Sequence, residues 1–259
     1  MKIMLPEVFG CILSLMLCAG CSVKEDRSVC PCRLVLDFSE VDTTLFSYAD
    51  VKITSQDGYL FEERIESDGF SSEYMVTVPR RQLQLCVWNG REGFEYGDGL
   101  RIPYGEEAPE VYFHSSAIDA ECEKLREVVR MRKNHCRMTV VMKGEEVNPV
   151  AVSIIGNVDG YAADGRPTSG SFRCSSEVAS DGSCTVVLPR QNDNSLIMEL
   201  EDGSGVLKRF PIGEYIAESG YDWTAPDLVD ITVGLDFAVT HLTLIIQGWE
   251  KEHKFDIVI

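Results

Sequence analysis

Period-two alternation runs through most of this chain and leaves little room for anything but β-structure. Leu34, Leu36 and Phe38 fall on one face of a strand, as do Val51 and Ile53, and Tyr74, Val76 and Val78. Leu83, Leu85 and Val87 follow. Later sets are Met138, Val140 and Met142; Val186 and Leu188; Leu196, Met198 and Leu200; Ile231 and Val233; and Leu242, Leu244 and Ile246. Successive side chains of a strand point to opposite faces, so the pattern predicts half-buried antiparallel strands. Seven Asp-Gly dipeptides, starting at Asp57, Asp68, Asp98, Asp159, Asp164, Asp181 and Asp202, punctuate the runs. Asp-Gly suits turns that need positive φ, and between alternating runs it signals hairpins.

Helix signals are few. Ile118, Cys122, Leu125 and Val129 have helical spacing, with Ser115 or Ser116 as a cap, yet Glu127–Met131 reads equally well as a strand. A helical turn is expected around Ile212–Ala217. Strands about 8–12 residues apart without intervening helices predict sandwiches rather than βαβ units. A polar break at Arg130, Arg132 and Lys133 divides the 259 residues into 30–131 and 132–259. Each part is long enough for one β-sandwich, so the expected class is all-β with two tandem antiparallel sandwiches.

The first residues read as an address. The apolar run Val8–Leu17 follows Lys2 and Glu7. It is too short for a bilayer, which needs about 20 residues, and has the length of a signal-peptide core. Cys18-Ala19-Gly20-Cys21 resembles a bacterial lipobox, although Cys18 stands where Leu is usual. Cys21 would then be lipidated and become the first mature residue, with 1–20 removed. Residues 21–29 are polar enough to serve as a tether. Within them Lys24, Glu25 and Asp26 resemble the signal that sends Bacteroidales lipoproteins to the cell surface.

This address changes the cysteine arithmetic. Ten Cys become seven once Cys11 and Cys18 leave with the signal and Cys21 carries lipid. An odd number cannot all pair within one chain. Cys174 and Cys184 bracket a segment with hairpin character and are the best-placed disulfide pair. Among the seven remaining cysteines there is no C-x-x-C, and Cys30-Pro31-Cys32 lacks a second half for zinc. The other cysteines read as buried thiols.

Charge and motifs exclude several functions. With 24 Lys+Arg against 42 Asp+Glu, the net charge of −18 argues against nucleic acid as a partner and against docking to an anionic membrane by charge. His114, His135, His241 and His253 lack zinc spacing, and no G-x-S-x-G, P-loop or G-x-G-x-x-G occurs. Asp159 and Asp164 lack EF-hand spacing and read as turn residues. No catalytic, metal or cofactor site is expected, and the chain reads as no enzyme. Trp88 and Trp249 end apolar strands and read as core or rim packing. Trp223 reads as an exposed candidate for stacking on sugar. Asp42-Thr43-Thr44 resembles a short bacterial O-glycosylation sequon, with Thr43 the position to test.

Four stretches, in order, carry a family resemblance. They are the lipidated Cys21 with Glu25-Asp26, then Cys30-Pro31 and the strand Arg33–Phe38; Leu83 to Asn89-Gly90; Val129–Val141 with Val152–Gly156, Gly160-Tyr161 and Asp164–Pro167; and Asp230–Asp236 with Leu242–Trp249. Across the whole mature chain the sequence resembles the FimB-type fimbrial anchor lipoproteins of the Bacteroidales, minor subunits of type V pili. The resemblance implies two transthyretin-like sandwiches, no cofactor, and attachment to the outer membrane by an acylated Cys21, palmitate included. It implies fimbrial stalk subunits as partners and a surface location at the base of a fimbrium used in adhesion.

Subunits of such pili join by strand donation, in which backbone pairing gives affinity and alternate side chains fill pockets. In this family the polymerising subunits open their groove by proteolytic loss of an N-terminal strand. A chain lipidated at Cys21 would lose its anchor by that cut, so it is expected to keep its first strand and act as donor or terminator. Phe255, Ile257 and Ile259 share one face of a final apolar segment and are candidate donor residues. Their burial would contribute about 5–9 kcal/mol before ordering costs. The same segment reads equally as the ordinary last strand of the second sandwich. The rival function is a surface lipoprotein that captures glycan or a host ligand.

Overall fold

The computed structural model describes residues 30–90, 99–143, 151–236, 241–246 and 249–254. The first half contributes β1 (Cys32–Asp37), β2 (Tyr48–Thr54), β3 (Leu60–Glu66), β4 (Tyr74–Val78), β5 (Gln82–Asn89), β6 (Gly99–Arg101), β7 (Tyr112–Asp119), β8 (Lys124–Val128) and β9 (Arg132–Lys133). The second contributes β10 (His135–Lys143), β11 (Ala151–Ala162), β12 (Pro167–Glu177), β13 (Ser183–Pro189), β14 (Ile197–Asp202) and β15 (Gly205–Phe210). Helix α1 (Ile212–Glu218) follows, then β16 (Ile231–Asp236), β17 (His241–Ile246) and β18 (Trp249–Lys254). The expected helical turn is α1, the one α-helix among the described residues.

Two β-sandwiches result, the all-β architecture that the alternation predicts. In the first, the three-stranded sheet β4-β1-β8 faces the sheet β3-β2-β5-β7-β9. Leu34, Leu36, Val51, Ile53, Leu85 and Val87 meet between them. In the second, the sheet β13-β10-β16-β17-β18 faces β12-β11-β14-β15, and Met138, Val140, Ile154, Val186, Met198 and Leu244 fill the space. All but Ile154 are alternating residues named from the sequence.

Over residues 118–129, whose spacing also admits a helix, the chain ends β7 and forms β8. Ser115 pairs with Cys86 in the ladder between β5 and β7. After Asp119 a turn forms in which its carboxylate accepts the Glu121 amide at 3.1 Å. The helical spacing arises because Ile118 and Leu125 reach the same core from different strands.

The two halves interlock. Strand β6 leaves the first and pairs with β11 of the second, Leu100 opposite Tyr161, and carries Ile102 into the second core. The backbones pass so closely that a Cβ on Gly160 would strike the Leu100 carbonyl, and one on Gly99 the Tyr161 carbonyl. Gly160 therefore serves close approach rather than a turn, unlike Gly58, Gly165 and Gly182, which take the positive φ that Asp-Gly predicts. Around the crossing, Trp88, Leu100, Val111 and Tyr161 form a small buried core of their own, with Phe113 packed on it. The Trp88 ring lies 5.1 Å from Phe113 and 6.4 Å from Tyr161. The Tyr161 hydroxyl donates to the Asn134 carbonyl and accepts from the Arg190 amide at 2.8 Å.

A second tie lies at the end of β1. Asp37 is buried, and its carboxylate accepts from the Ser39 amide at 3.0 Å and from Arg126 Nη2 on β8 at 2.6 Å. The Ser39 hydroxyl and amide, then the Arg126 guanidinium, hold its pKa down to about 2.

Both ties are testable. Tyr161→Phe keeps the ring and removes the hydroxyl, leaving a buried carbonyl and amide without it. Chemical denaturation should show a loss of about 1–3 kcal/mol. For Asp37 the sign follows from its depressed pKa. Its stabilisation is complete above the unfolded value of 3.8 and is lost as pH falls toward about 2. Denaturation midpoints should therefore fall more steeply over that window for the wild type than for Asp37→Asn.

Candidate functional site

The feature that bears most on strand exchange is β1 itself. Its apolar Leu34, Val35 and Leu36 suit a strand buried on both faces, and its neighbours make it an interior one. It pairs antiparallel with β4, from Cys32 opposite Val78 to Leu36 opposite Tyr74. On its other edge it pairs parallel with β8, from Arg33 opposite Lys124 to Asp37 opposite Val128. The ladder is extended at both ends, by the Arg33 amide to the Glu123 carbonyl at 3.0 Å and the Val129 amide to the Asp37 carbonyl at 2.9 Å. Cys32, Leu34 and Leu36 have no exposed surface, and Val35 on the opposite face is buried too. Phe38 closes the end by stacking on Phe70 at 5.1 Å. Both backbone edges and the apolar face are satisfied, so the first sandwich presents no groove along β1.

In the second sandwich β18 is an edge strand of its sheet among the described residues, pairing antiparallel with β17 from Ile246 opposite Trp249 to His241 opposite Lys254. The polar stretch Glu250–His253 thus lies within a strand of the second sandwich. The candidate donor residues Phe255, Ile257 and Ile259 lie outside the described residues, as do the lipidation position Cys21 and the export residues Lys24, Glu25 and Asp26.

Cys174 and Cys184 are unbonded and buried. The hairpin expected between them is absent because β12 and β13 belong to different sheets. Cys174 sits opposite Ile154 and Cys184 opposite Val140, while the turn Ala179–Gly182 carries the chain from one sheet to the other. Burial pushes the thiols up, Cys174 to about 12 and Cys184 to about 11.

A cleft of about 660 Å³ opens where the two sandwiches meet, lined by Phe113, Arg130, Arg132, Asn134, Arg190 and Trp223 among others. Trp223 is not the exposed ring expected. It is 8% exposed, packed edge-on against Tyr221 at 4.7 Å. Arg190 holds it there, donating to the Trp223 carbonyl and, at 2.8 Å, to the Ala225 carbonyl. The basic run read as a polar break is in fact spent on pairing. Arg130 meets Glu40 at 2.7 Å, Arg132 meets Asp227 at 2.8 Å and Lys133 meets Asp230 at 2.5 Å. No signal in the sequence tells those pairs apart from solvated charge. Among the described residues no three His, Cys, Asp or Glu converge as a metal site, and no helix is long and apolar enough to cross a membrane. What the arrangement offers chemically is backbone pairing and packing.

No family model and no curated protein matches the chain. Solved structures do match, over nearly their whole length. The fimbrial anchor protein Mfa2 from Porphyromonas gingivalis aligns with a TM-score of 0.61 at 14% identity, covering 87% of this chain and 100% of that one. A candidate polysaccharide-binding protein from Bacteroides thetaiotaomicron gives 0.61 at 12% identity, covering 87% and 98%. A candidate adhesin from Bacteroides ovatus gives 0.60 at 13% identity, covering 91% and 99%. At such identities the likeness speaks for the fold, and at that level it bears out the resemblance read in the sequence: this chain has the two-sandwich, transthyretin-like fold of the Mfa2-type proteins.

Proposed function

We propose that this chain is a minor fimbrial subunit that anchors a type V fimbrium used in adhesion. It would be an outer-membrane lipoprotein, held by acyl chains on Cys21 and exposed at the cell surface, with fimbrial stalk subunits as its partners. The observation that carries this reading is the full-length match to the fold of the Mfa2 fimbrial anchor. The seating of β1 supports it further, because a base subunit needs one end that accepts no donated strand.

The lipid has a physical task in this reading. Each buried CH₂ contributes about 0.8 kcal/mol and a single chain anchors only marginally, so a fibre under load needs a multiply acylated residue. The tether of residues 21–29 then delivers load to the start of β1. The role is mechanical rather than catalytic. A subunit whose own groove is filled can only donate, which sets one end of the fibre and limits its length. The segment from Phe255 to Ile259 follows edge strand β18 and is the donor in this scheme.

Three substitutions separate the parts. Cys21→Ser should abolish acyl labelling and release the protein from the outer membrane; retention would overturn lipid anchoring. Changing Lys24, Glu25 and Asp26 to Ala should lower antibody labelling of intact cells, and undiminished labelling would refute an export signal there. Truncation after Lys254 keeps β18. Loss of crosslinking to stalk subunits at unchanged stability would place donation in residues 255–259, and undiminished crosslinking would rule it out.

A further inference from the structure

We propose that Cys32 and Cys122 form a disulfide that staples β1 into the first sandwich. The proposal rests on the anchor reading for its compartment, since disulfides persist outside the cytoplasm, and it deepens that reading by giving β1 a covalent lock.

The geometry is already assembled. The two sulfurs lie 3.9 Å apart, in thiol hydrogen-bond contact. No other thiol pair among the described residues is in such contact. The backbone on each side is held independently of the sulfurs. Arg33 pairs with Lys124 in the parallel ladder, and the Arg33 amide donates to the Glu123 carbonyl at 3.0 Å. Cys32 opens β1, held against β4 by its pairing with Val78. Closing the gap to a bond length of about 2 Å therefore asks for side-chain rotation, not strand movement. Cys30 is exposed, two residues away, but Pro31 separates it from the ladder.

The exchange has a natural order. Cys122 is half-buried and Cys32 fully buried, and burial, with Cys122 as the next influence, pushes the Cys32 thiol up to about 11. Cys122 therefore meets the oxidant first. With glutathione disulfide as oxidant, the Cys122 thiolate attacks one glutathione sulfur, breaks its S–S bond and expels one glutathione thiolate. The Cys32 thiolate then attacks Cys122 Sγ in the mixed disulfide and expels the second. Two protein thiols lose two electrons, the glutathione disulfide gains them, and the two thiol protons end on the two glutathiones. In the cell any exported disulfide oxidant serves.

The consequence is mechanical and topological. The bond joins positions 90 residues apart in sequence, the long-loop case in which a crosslink restricts the unfolded chain most. Load arriving along the tether at Cys30-Pro31 reaches Cys32 and passes through the sulfurs to the segment leading into β8, bypassing the ladders. β1 cannot leave, and the first sandwich cannot open to a donor strand.

The test is peptide mapping of the full lipidated chain, alkylated without reductant, together with unfolding in glutathione buffers. A Cys32–Cys122 linked peptide is expected, and reduction should lower Tm by about 5–15 °C. Cys122→Ser should remove both the link and the effect of reductant, while Cys30→Ser leaves both intact. Free Cys32 and Cys122 in excess glutathione disulfide, or Cys32 linked to Cys30, would overturn the proposal. Acyl labelling at Cys21 is read on the same sample. Label without the link leaves the anchor reading standing and removes the staple. The link without label does the reverse.

Discussion

The parallel ladder between β1 and β8 is the contact on which the rest of the first sandwich depends. The strand β1 lies between β4 and β8, so its sheet is complete only when residues from far along the chain flank it. Leu34 and Leu36 lie on the strand between these ladders, one to residues 74–78 and one to residues 124–128, and have no exposed surface. Contacts of such sequence separation cost loop entropy before they return anything. Arg126, which ties β8 to Asp37 at the end of β1, lies on that same late-arriving strand. A sandwich built this way resists loss of its first strand, since removing β1 would undo two ladders and one core face together.

The second constraint is that the two sandwiches are not beads on a string. Their junction combines a shared apolar cluster around Trp88 and Tyr161 with a strand, β6, that begins in one half and hydrogen-bonds in the other. Cations at the junction tie it further. Arg130 reaches Glu40 in the first half, whereas Arg132 and Lys133 reach Asp227 and Asp230 in the second. In a chain with a net charge of −18, several of the few cations are placed where they neutralise carboxylates between elements. Exposed pairs of this kind stabilise little individually, so the apolar cluster and the β6 ladder do most of the holding.

Local rules made the strands legible and left the long-range ones unread. Alternation located the core faces because half-buried strands must alternate, and Val51, Ile53, Leu85 and Val87 are buried as that rule demands. Asp-Gly located turns at Gly58, Gly165 and Gly182, whose φ is positive. It misleads at Gly160, where the missing side chain serves the passage of β6, a pairing that no local pattern announces. The same limit explains Trp223, whose polar neighbours suggest exposure until Arg190, distant in sequence, folds over its carbonyl. It explains the cysteines as well. Spacing favours Cys174 with Cys184, but spacing cannot tell a hairpin from a turn between sheets, nor show that Cys32 meets Cys122 across the β1/β8 ladder.

Direction of load joins these points to the anchor reading. In the proposed anchor, a tether ending at residue 30 would pull β1 from its first residue, along the strand axis. The β4 and β8 ladders both run parallel to that axis, so pulling shears their hydrogen bonds together rather than opening them one by one. Strands that shear share force among many bonds at once, and strands that peel do not. Among the described residues β18 is paired on one side only, so it has no second ladder to share such a load. In the proposed anchor, the strand nearest the lipid would thus be gripped on both edges, with the load spread over both ladders.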